Sequence, residues 1–255
     1  MKVATWNVNG IRARAEQLGV WLEREAPDVV CLQEIKATPA QVPGLLFVAA
    51  QYHSMWHGHG AYSGVALLLK RDRFPGPVEF THPAFDHESR IVTAEIATPT
   101  GPIVLGSVYV PNGGKDFRAK MKFLRELDAW AAALQAAGKH LVLCGDFNVA
   151  RTEIDVHPTL RKSMIGQSGD ERLLIESLFE RGLVDVGRKV APDDDRLFTW
   201  WAPWRNMRQR NIGWRLDYVA ASAALVGDDV HCIVERDTGT SDHAPVTAWL
   251  RDQPS

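Results

Sequence analysis

Short apolar, β-branched runs punctuate this chain, and three longer stretches carry their apolar residues at helical spacing instead. The runs at 2–8, 28–33, 64–70, 90–96, 103–110, 141–144, 216–220 and 245–250 read as buried strands. Residues 12–25, 116–137 and 170–181 read as amphipathic helices. In the second of these, Phe123, Leu127, Trp130 and Leu134 recur at helical spacing and are expected to face the core, with Gly138 as C-cap. Strand runs outnumber helical ones and do not alternate with them one for one. That predicts sheet packed on sheet with helices outside, rather than a doubly wound parallel sheet. Pro158, Pro192 and the run Asp193–Asp195 mark loops, and none reads as an interdomain linker. Residues 1–255 are therefore expected to form one domain.

Composition narrows the class. The chain has 255 residues, 45% hydrophobic and 24% charged, which suits a soluble globular protein able to bury a core without crosslinks. The opening Met-Lys-Val-Ala-Thr-Trp-Asn lacks the apolar segment of a secretion signal, and no apolar stretch is long enough to span a bilayer. A cytoplasmic protein with no membrane partner is expected. Cys31, Cys144 and Cys232 lie far apart within apolar runs, so they fit neither a zinc knuckle nor a disulfide framework and are expected to be buried thiols. A net charge of −2 and a pI near 6.5 are not the global signature of a nucleic-acid binder. An enzyme that releases its product, however, need only be basic locally.

The candidate chemistry sits where strand runs end. Thr5-Trp6-Asn7 ends in an amide, Leu32-Gln33-Glu34 in a carboxylate, and Tyr109-Val110-Pro111-Asn112 carries a phenol and an amide. Asp146-Phe147-Asn148 places two polar side chains on one side of an extended segment, and Leu216-Asp217 and Ser241-Asp242-His243 add carboxylates and an imidazole. Acidic groups at the mouths of apolar strands are costly unless a cation or hydrogen bonds compensate them. Oxygen donors with few histidines and no cysteine favour a hard cation, magnesium or manganese, over zinc. Such a set can supply what phosphodiester cleavage needs: an activated water, charge stabilisation on the phosphate, and help for the leaving alkoxide. Taken singly, each piece has a plainer reading. Asn7 ahead of Gly10 and the Gly-Asp-x-Asn tetrapeptide read equally as turns, and a lone Tyr109 on a strand as core.

Read together and in order, TWNVNGIR (5–12), LQEIK (32–36), YSGV (62–65), YVPN (109–112), GDFNV (145–149), GWRLDY (213–218) and SDH (241–243) resemble exodeoxyribonuclease III and its abasic-endonuclease relatives. The resemblance covers nearly the whole chain. It implies an α+β fold, a four-layer α/β sandwich of two packed mixed β-sheets flanked by helices. It implies incision of double-stranded DNA 5′ to abasic sites and trimming of 3′ ends, with Mg2+ as cofactor and Mn2+ able to substitute. It implies a monomer without an obligatory protein partner. By the same resemblance Glu34 is the principal metal ligand, supported by Asn7, with Asp242 a second metal-proximal carboxylate. Asp146 positions and deprotonates the attacking water, and Asn148 holds water and phosphate; the resemblance counts both in the metal set as well. Asp217 orients and charges His243, which binds a phosphate oxygen; Tyr109 touches the scissile phosphate or assists the leaving group, and Asn112 contacts phosphate or water.

The same phosphoesterase chemistry serves many substrates, so substrate choice must be read elsewhere. Residues 198–217 carry Trp200, Trp201, Trp204 and Trp214 among Arg205, Arg208, Arg210 and Arg215. Basic residues interleaved with aromatics suit a phosphate backbone and a flat apolar face for an extruded sugar. The resemblance puts Trp200 and Trp214 on the walls of an abasic pocket; Trp201 and Trp204 read at least as well as core. Arg205 and Arg208 are expected at DNA, and Arg12, Lys36 and Arg90 along the DNA face or bracing the site. One stretch departs from the family pattern. At 161–172 only Gly166 and the pair Glu171-Arg172 fit, and Arg161 and Lys162 stand where other phosphate contacts would be.

Overall fold

The computed structural model of the protein describes residues 1–42 and 51–253. One six-stranded sheet is built from β1 (Lys2–Asn7), β2 (Val29–Gln33), β3 (Tyr52–His57), β4 (Val65–Lys70), β11 (His231–Val234) and β12 (Val246–Trp249), in the order β11-β12-β1-β2-β4-β3. The other holds β5 (Phe80–Thr81), β6 (Ile91–Ile96), β7 (Ile103–Tyr109), β8 (His140–Asp146), β9 (Leu183–Asp185) and β10 (Asp217–Ser222), in the order β5-β6-β7-β8-β10-β9. Each sheet has one parallel pair at its centre, β1 with β2 and β7 with β8; every other pairing is antiparallel. A parallel pair needs a long crossover, and a helix supplies it each time: α1 (Ile11–Glu25) and α2 (Phe117–Ala136).

Side-chain alternation then sorts the strands into layers. Val3, Val29, Cys31, Leu67, Leu105, Val142, Cys144 and Val219 point between the sheets and form one core. Their neighbours point outward. Ala4, Trp6, Val30, Leu32 and Leu68 pack against Ile11, Leu18, Trp21 and Leu22 of α1. Leu141, Leu143 and Tyr218 pack against Phe123, Leu124 and Leu127 of α2 and Ile175 and Leu178 of α3 (Gly169–Glu180). The expected helix–sheet–sheet–helix order is present.

The expected strands and helices are present with shifted ends. Asp116 caps α2 by accepting from the Ala119 amide at 2.9 Å, and Gly138, at φ 76°, closes it. The edge strands β3, β5, β9 and β11, and the single turn α4 (Val186–Val190), lie outside the strong apolar runs. The thiols follow expectation in part: Cys31 and Cys144 are buried, Cys232 half-buried, and all three are free. Among the described residues, no helix is long and apolar enough to cross a membrane.

A buried charge cluster pins the long 186–216 excursion to the second sheet. Arg215 donates from Nε to Asp155 at 2.7 Å and from its two Nη atoms to Asp185 at 2.8 and 2.7 Å. Arg188 pairs with the same Asp155 oxygen. Arg215 thus differs from its expected neighbours among the basic residues: 2% exposed and fully paired, it is structural rather than a phosphate contact.

Candidate active site

The alternation that fills the sandwich with aliphatics also brings the polar residues together. Asn7, Tyr109 and Asp146 are the last residues of β1, β7 and β8, and Asp217 is the first of antiparallel β10. Register places Tyr109 beside Asp146 and Asp146 beside Asp217. All four share the phase of the inward-facing residues, so they meet at one rim of the sandwich. Directly beneath lies a neutral polar stripe. Thr5 donates to Gln33 at 3.1 Å, Gln33 to Ser107 at 3.1 Å, and Ser107 to the Leu32 carbonyl at 3.1 Å, tying one sheet to the other.

Glu34 follows Gln33 and would by alternation point away from the rim. Its φ of 49° places it in the left-handed region, which costs an L-residue about 1–2 kcal/mol. The turn brings its carboxylate inward, where Oε1 accepts from Asn7 at 3.0 Å and from the Tyr109 hydroxyl at 2.9 Å. Oε2 pairs with Lys36 at 2.7 Å. Asn7 spans the gap, since its Nδ2 also donates to Asp146 at 2.9 Å. His243 is held just ahead of β12: its carbonyl accepts from Trp6 Nε1, and Ser241 donates to the Asn7 carbonyl at 2.6 Å. Its Nδ1 lies 2.8 Å from Asp217, which leaves Nε2 facing Asp146 Oδ2 at 3.7 Å. Asn148, also left-handed at φ 52°, donates to the Val110 carbonyl at 2.9 Å and accepts from Asn112 at 3.3 Å.

Burial sets the electrostatics. Asp146 is 1% exposed, and desolvation, with Asp217 and Glu34 nearby, raises its pKa to about 7 against the pull of His243. Burial opposes the His243 cation, but Asp217 and Asp146 outweigh it and lift the imidazole to about 10. Burial likewise opposes charge on Glu34, yet Asn7 and Lys36 hold its pKa below the ordinary value. Burial and the facing carboxylates push the Tyr109 phenol well up. Glu34, Asp146 and His243 each offer a ligand atom within 4.8 Å of the others, a group that can hold a metal. The oxygen donors fit a hard cation, because Glu34 and Asp146 crowd one amide and a positive charge between them would relieve Asp146 of its raised pKa.

Above the rim opens a cleft of about 450 Å³, walled by Trp200, Trp214, Met164 and Ile165. The two indoles meet edge to face with centroids 5.8 Å apart. Trp200 Nε1 donates to Asp242 at 3.0 Å, and Asn9 donates to the other oxygen at 2.8 Å. Asp242 therefore lines the cleft with both oxygens engaged. Gly166, at φ 85°, runs close under Trp214; a Cβ there would meet the ring at 2.8 Å.

The remaining residues divide. Arg12 and Arg205 are exposed, Trp204 is 60% exposed, and Trp201 is core. Arg208, expected at DNA, is otherwise employed. It stacks on Trp201 and gives its N–H groups to the carbonyls of Arg236, Thr238 and Ser241 at 2.6, 2.9 and 2.5 Å. It clamps the turn that delivers Asp242 and His243, so Arg208→Ala should loosen that turn and lower the melting temperature, which thermal melts check. Arg90, expected along the DNA face or as a brace, is a brace: 1% exposed, it lies over the Tyr109 ring at 4.7 Å.

Sequence reasoning missed three supports. Lys120 and Glu171, both fully buried, pair at 2.5 Å, and Lys120 also donates to the carbonyls of Asn148 at 2.8 Å and Asn112 at 3.2 Å. The signals were present: a lysine on the apolar stripe with Leu124, Leu127 and Ala131, and Ser168-x-x-Glu171 as a capping box. Asn9 bridges Lys36 and Asp242. Thr199 accepts from the amides of Leu216 and Asp217 at 2.9 and 3.0 Å and had no sequence signal.

Known proteins resemble this chain in sequence and fold. The DNA repair nuclease APEX1 of Danio rerio is 34% identical over 98% of this chain and 82% of its own length. An exodeoxyribonuclease of Bacillus subtilis is 33% identical over 96% of this chain and 98% of its own. Among solved structures, the 3′ phosphatase NExo from Neisseria bound to product DNA hairpin superposes with a TM-score of 0.83 at 30% identity, covering 98% of this chain and 99% of that one. The sequence profile of the Endonuclease/Exonuclease/phosphatase family, whose members depend on divalent metals, matches residues 4–243. With the sandwich and its acidic rim, this makes the chain a member of the Endonuclease/Exonuclease/phosphatase family.

Proposed function

We propose that this protein is a DNA-repair phosphodiesterase that incises duplex DNA 5′ to abasic sites and removes nucleotides or blocking groups from 3′ ends. The observation that carries the reading is the pairing of a hydrolytic rim with a tryptophan-walled cleft directly above it. Glu34 and Asp146 would hold the cation, with Asn7 supporting the site and Asp242 and Asn148 beside it; magnesium is the ion, and manganese substitutes. When bound, the cation supplies charge stabilisation to the phosphate. Asp146, buried and with its charged form favoured by the bound cation, takes the proton of the attacking water, which Asn148 orients. His243, cationic and held by Asp217 through Nδ1, donates from Nε2 to a non-bridging phosphate oxygen. Tyr109, its phenol kept protonated, donates toward the phosphate or the leaving alkoxide, and Asn112 contacts the phosphate. Trp200 and Trp214 wall the pocket for a sugar without a base, and Arg12 and Arg205 approach the backbone. Residues 1–255 act as one cytoplasmic domain and as a monomer; the shared inter-sheet core and a site drawn from both sheets support the single domain.

The test is incision of a labelled duplex carrying one abasic-site analogue, with magnesium or chelator. Cutting 5′ to the lesion is expected only with magnesium, and Glu34→Ala should abolish it. Trp214→Ala should lower kcat/KM on abasic DNA by roughly 5–100-fold, the size of one lost aromatic contact. Folded wild-type protein that leaves this duplex intact would move the substrate to RNA or small phosphoesters. Affinity for DNA should fall with salt along a shallow slope, reflecting few phosphate contacts.

A further inference from the structure

A second cluster of metal-binding side chains lies at the edge of the sandwich, built from residues that the catalytic rim does not use. His57 ends β3, at the edge of the first sheet, while His82 and Asp86 follow β5 in the second. Each offers one ligand atom, and the three atoms lie within 4.8 Å of one another. His57 Nε2 is 2.6 Å from Asp86 Oδ2, and the His57 and His82 rings stack with centroids 4.8 Å apart and planes 9° from parallel.

The Asp86 carboxylate is set for this position. Its Oδ1 accepts from the backbone amides of Arg90 at 2.8 Å and Ile91 at 3.1 Å, which fixes the group and turns Oδ2 toward the imidazoles. Ligating carboxylates are commonly oriented in this way by a second set of hydrogen bonds. His57 is half-buried and His82 exposed, so an ion can enter from solvent.

We propose that His57, His82 and Asp86 form a site for a divalent transition cation of the zinc type, joining the two sheets at this edge. Two imidazoles and one carboxylate are borderline donors, suited to zinc and poorly suited to magnesium. The site therefore differs in chemistry from the all-oxygen side of the catalytic rim. Zinc–nitrogen and zinc–oxygen bonds of about 2.0–2.2 Å put tetrahedral ligand atoms roughly 3.3–3.5 Å apart. The hydrogen bond between His57 and Asp86 must open by under an ångström, with His57 giving up any Nε2 proton to solvent. His82, the exposed member, must tilt out of the stack so that a ring nitrogen faces the ion. Water fills the fourth position.

The consequence reaches the catalytic side. The loop closed by Asp86 also holds Arg90, which stacks on Tyr109. An ion at this edge would fix the loop in which that stack is anchored.

The test is equilibrium dialysis against micromolar zinc, with cobalt absorption as a reporter of four-coordinate binding. Glu34→Ala removes a ligand of the catalytic rim and should still bind one zinc, show the visible cobalt bands, and gain several degrees of Tm in zinc. Adding His82→Ala to that variant should abolish all three. His82→Ala alone should keep magnesium-supported phosphodiesterase activity, because the residue lies outside the catalytic rim. Asp86→Asn, which keeps one oxygen for the backbone amides, should weaken zinc at least 10-fold and provides a second variant if the first is poorly folded. Equal zinc stoichiometry and cobalt spectra with and without His82 would overturn the proposal, as would no zinc bound to Glu34→Ala. Neither outcome bears on the nuclease reading, which the magnesium assay tests separately.

Discussion

Asp146→Asn should lower the rate of magnesium-supported incision by about 10²–10⁴-fold with little change in KM for DNA, because it removes the base and one charged cation ligand but leaves the tryptophan walls of the cleft in place. The substitution is nearly isosteric, and the fold has reason to accept it. Asp146 is buried beside Asp217 and Glu34, and its pKa of about 7 lies above the ordinary 3.8. A carboxyl whose folded pKa is raised binds more protons folded than unfolded. In chelator the wild type should therefore lose stability as pH rises from about 4 to about 7, and Asp146→Asn should lose less. Thermal melts in chelator across that range, beside single-turnover incision rates in magnesium, separate the two effects. A variant that is inactive and also unstable at all pH values would point to a structural role. One that retains activity would move the base elsewhere on the rim.

Arg215→Met should destabilise the protein by about 3–5 kcal/mol. The guanidinium is buried and makes three charged hydrogen bonds to Asp155 and Asp185, so its removal leaves two desolvated carboxylates under-compensated, Asp155 with Arg188 and Asp185 with a 3.4 Å contact to Arg151. Burial opposes the Asp155 charge, but Arg215 and Arg188 outweigh it and hold its pKa at about 2 against 3.8. Since the folded pKa is depressed, the stabilisation is present above the ordinary carboxylate range and fades as pH falls through about 2. That shift corresponds to about 2 kcal/mol. In Arg215→Met this acid dependence should shrink, which denaturant melts at pH 2.5 and pH 7 would register. Equal losses at both pH values would mean that packing, not charge, is what Arg215 supplies.

Much of the rim was legible because it obeys the period of the strands. Asn7, Tyr109 and Asp146 each close an apolar run in its inward phase, and the pattern placing aliphatics in the core places them at its mouth. Glu34 was legible as a strand-end carboxylate, but its inward direction was not, since alternation alone would send it outward and a left-handed residue reverses that. The arginines were the weakest part of the reading. Arg205, Arg208 and Arg215 look alike in a basic, aromatic-rich stretch, yet one is exposed, one grips carbonyls and one is buried between two aspartates. A guanidinium's partners lie far away in sequence, so no local pattern distinguishes these fates. The edge strands were missed for a related reason: with only one paired side, they need few apolar residues.

The place of β1 in its sheet has a consequence for how the enzyme comes to life. β1 lies between β2, made soon after it, and β12, made more than 200 residues later. The second sheet can be complete once residue 222 has emerged from the ribosome, whereas β1 keeps a bare edge until residues 246–249 arrive. His243 travels with that late strand and is seated by Trp6 and Asn7 of β1. A nascent chain therefore carries Glu34 and Asp146 without the imidazole, and nuclease activity should switch on only when β12 closes the sheet.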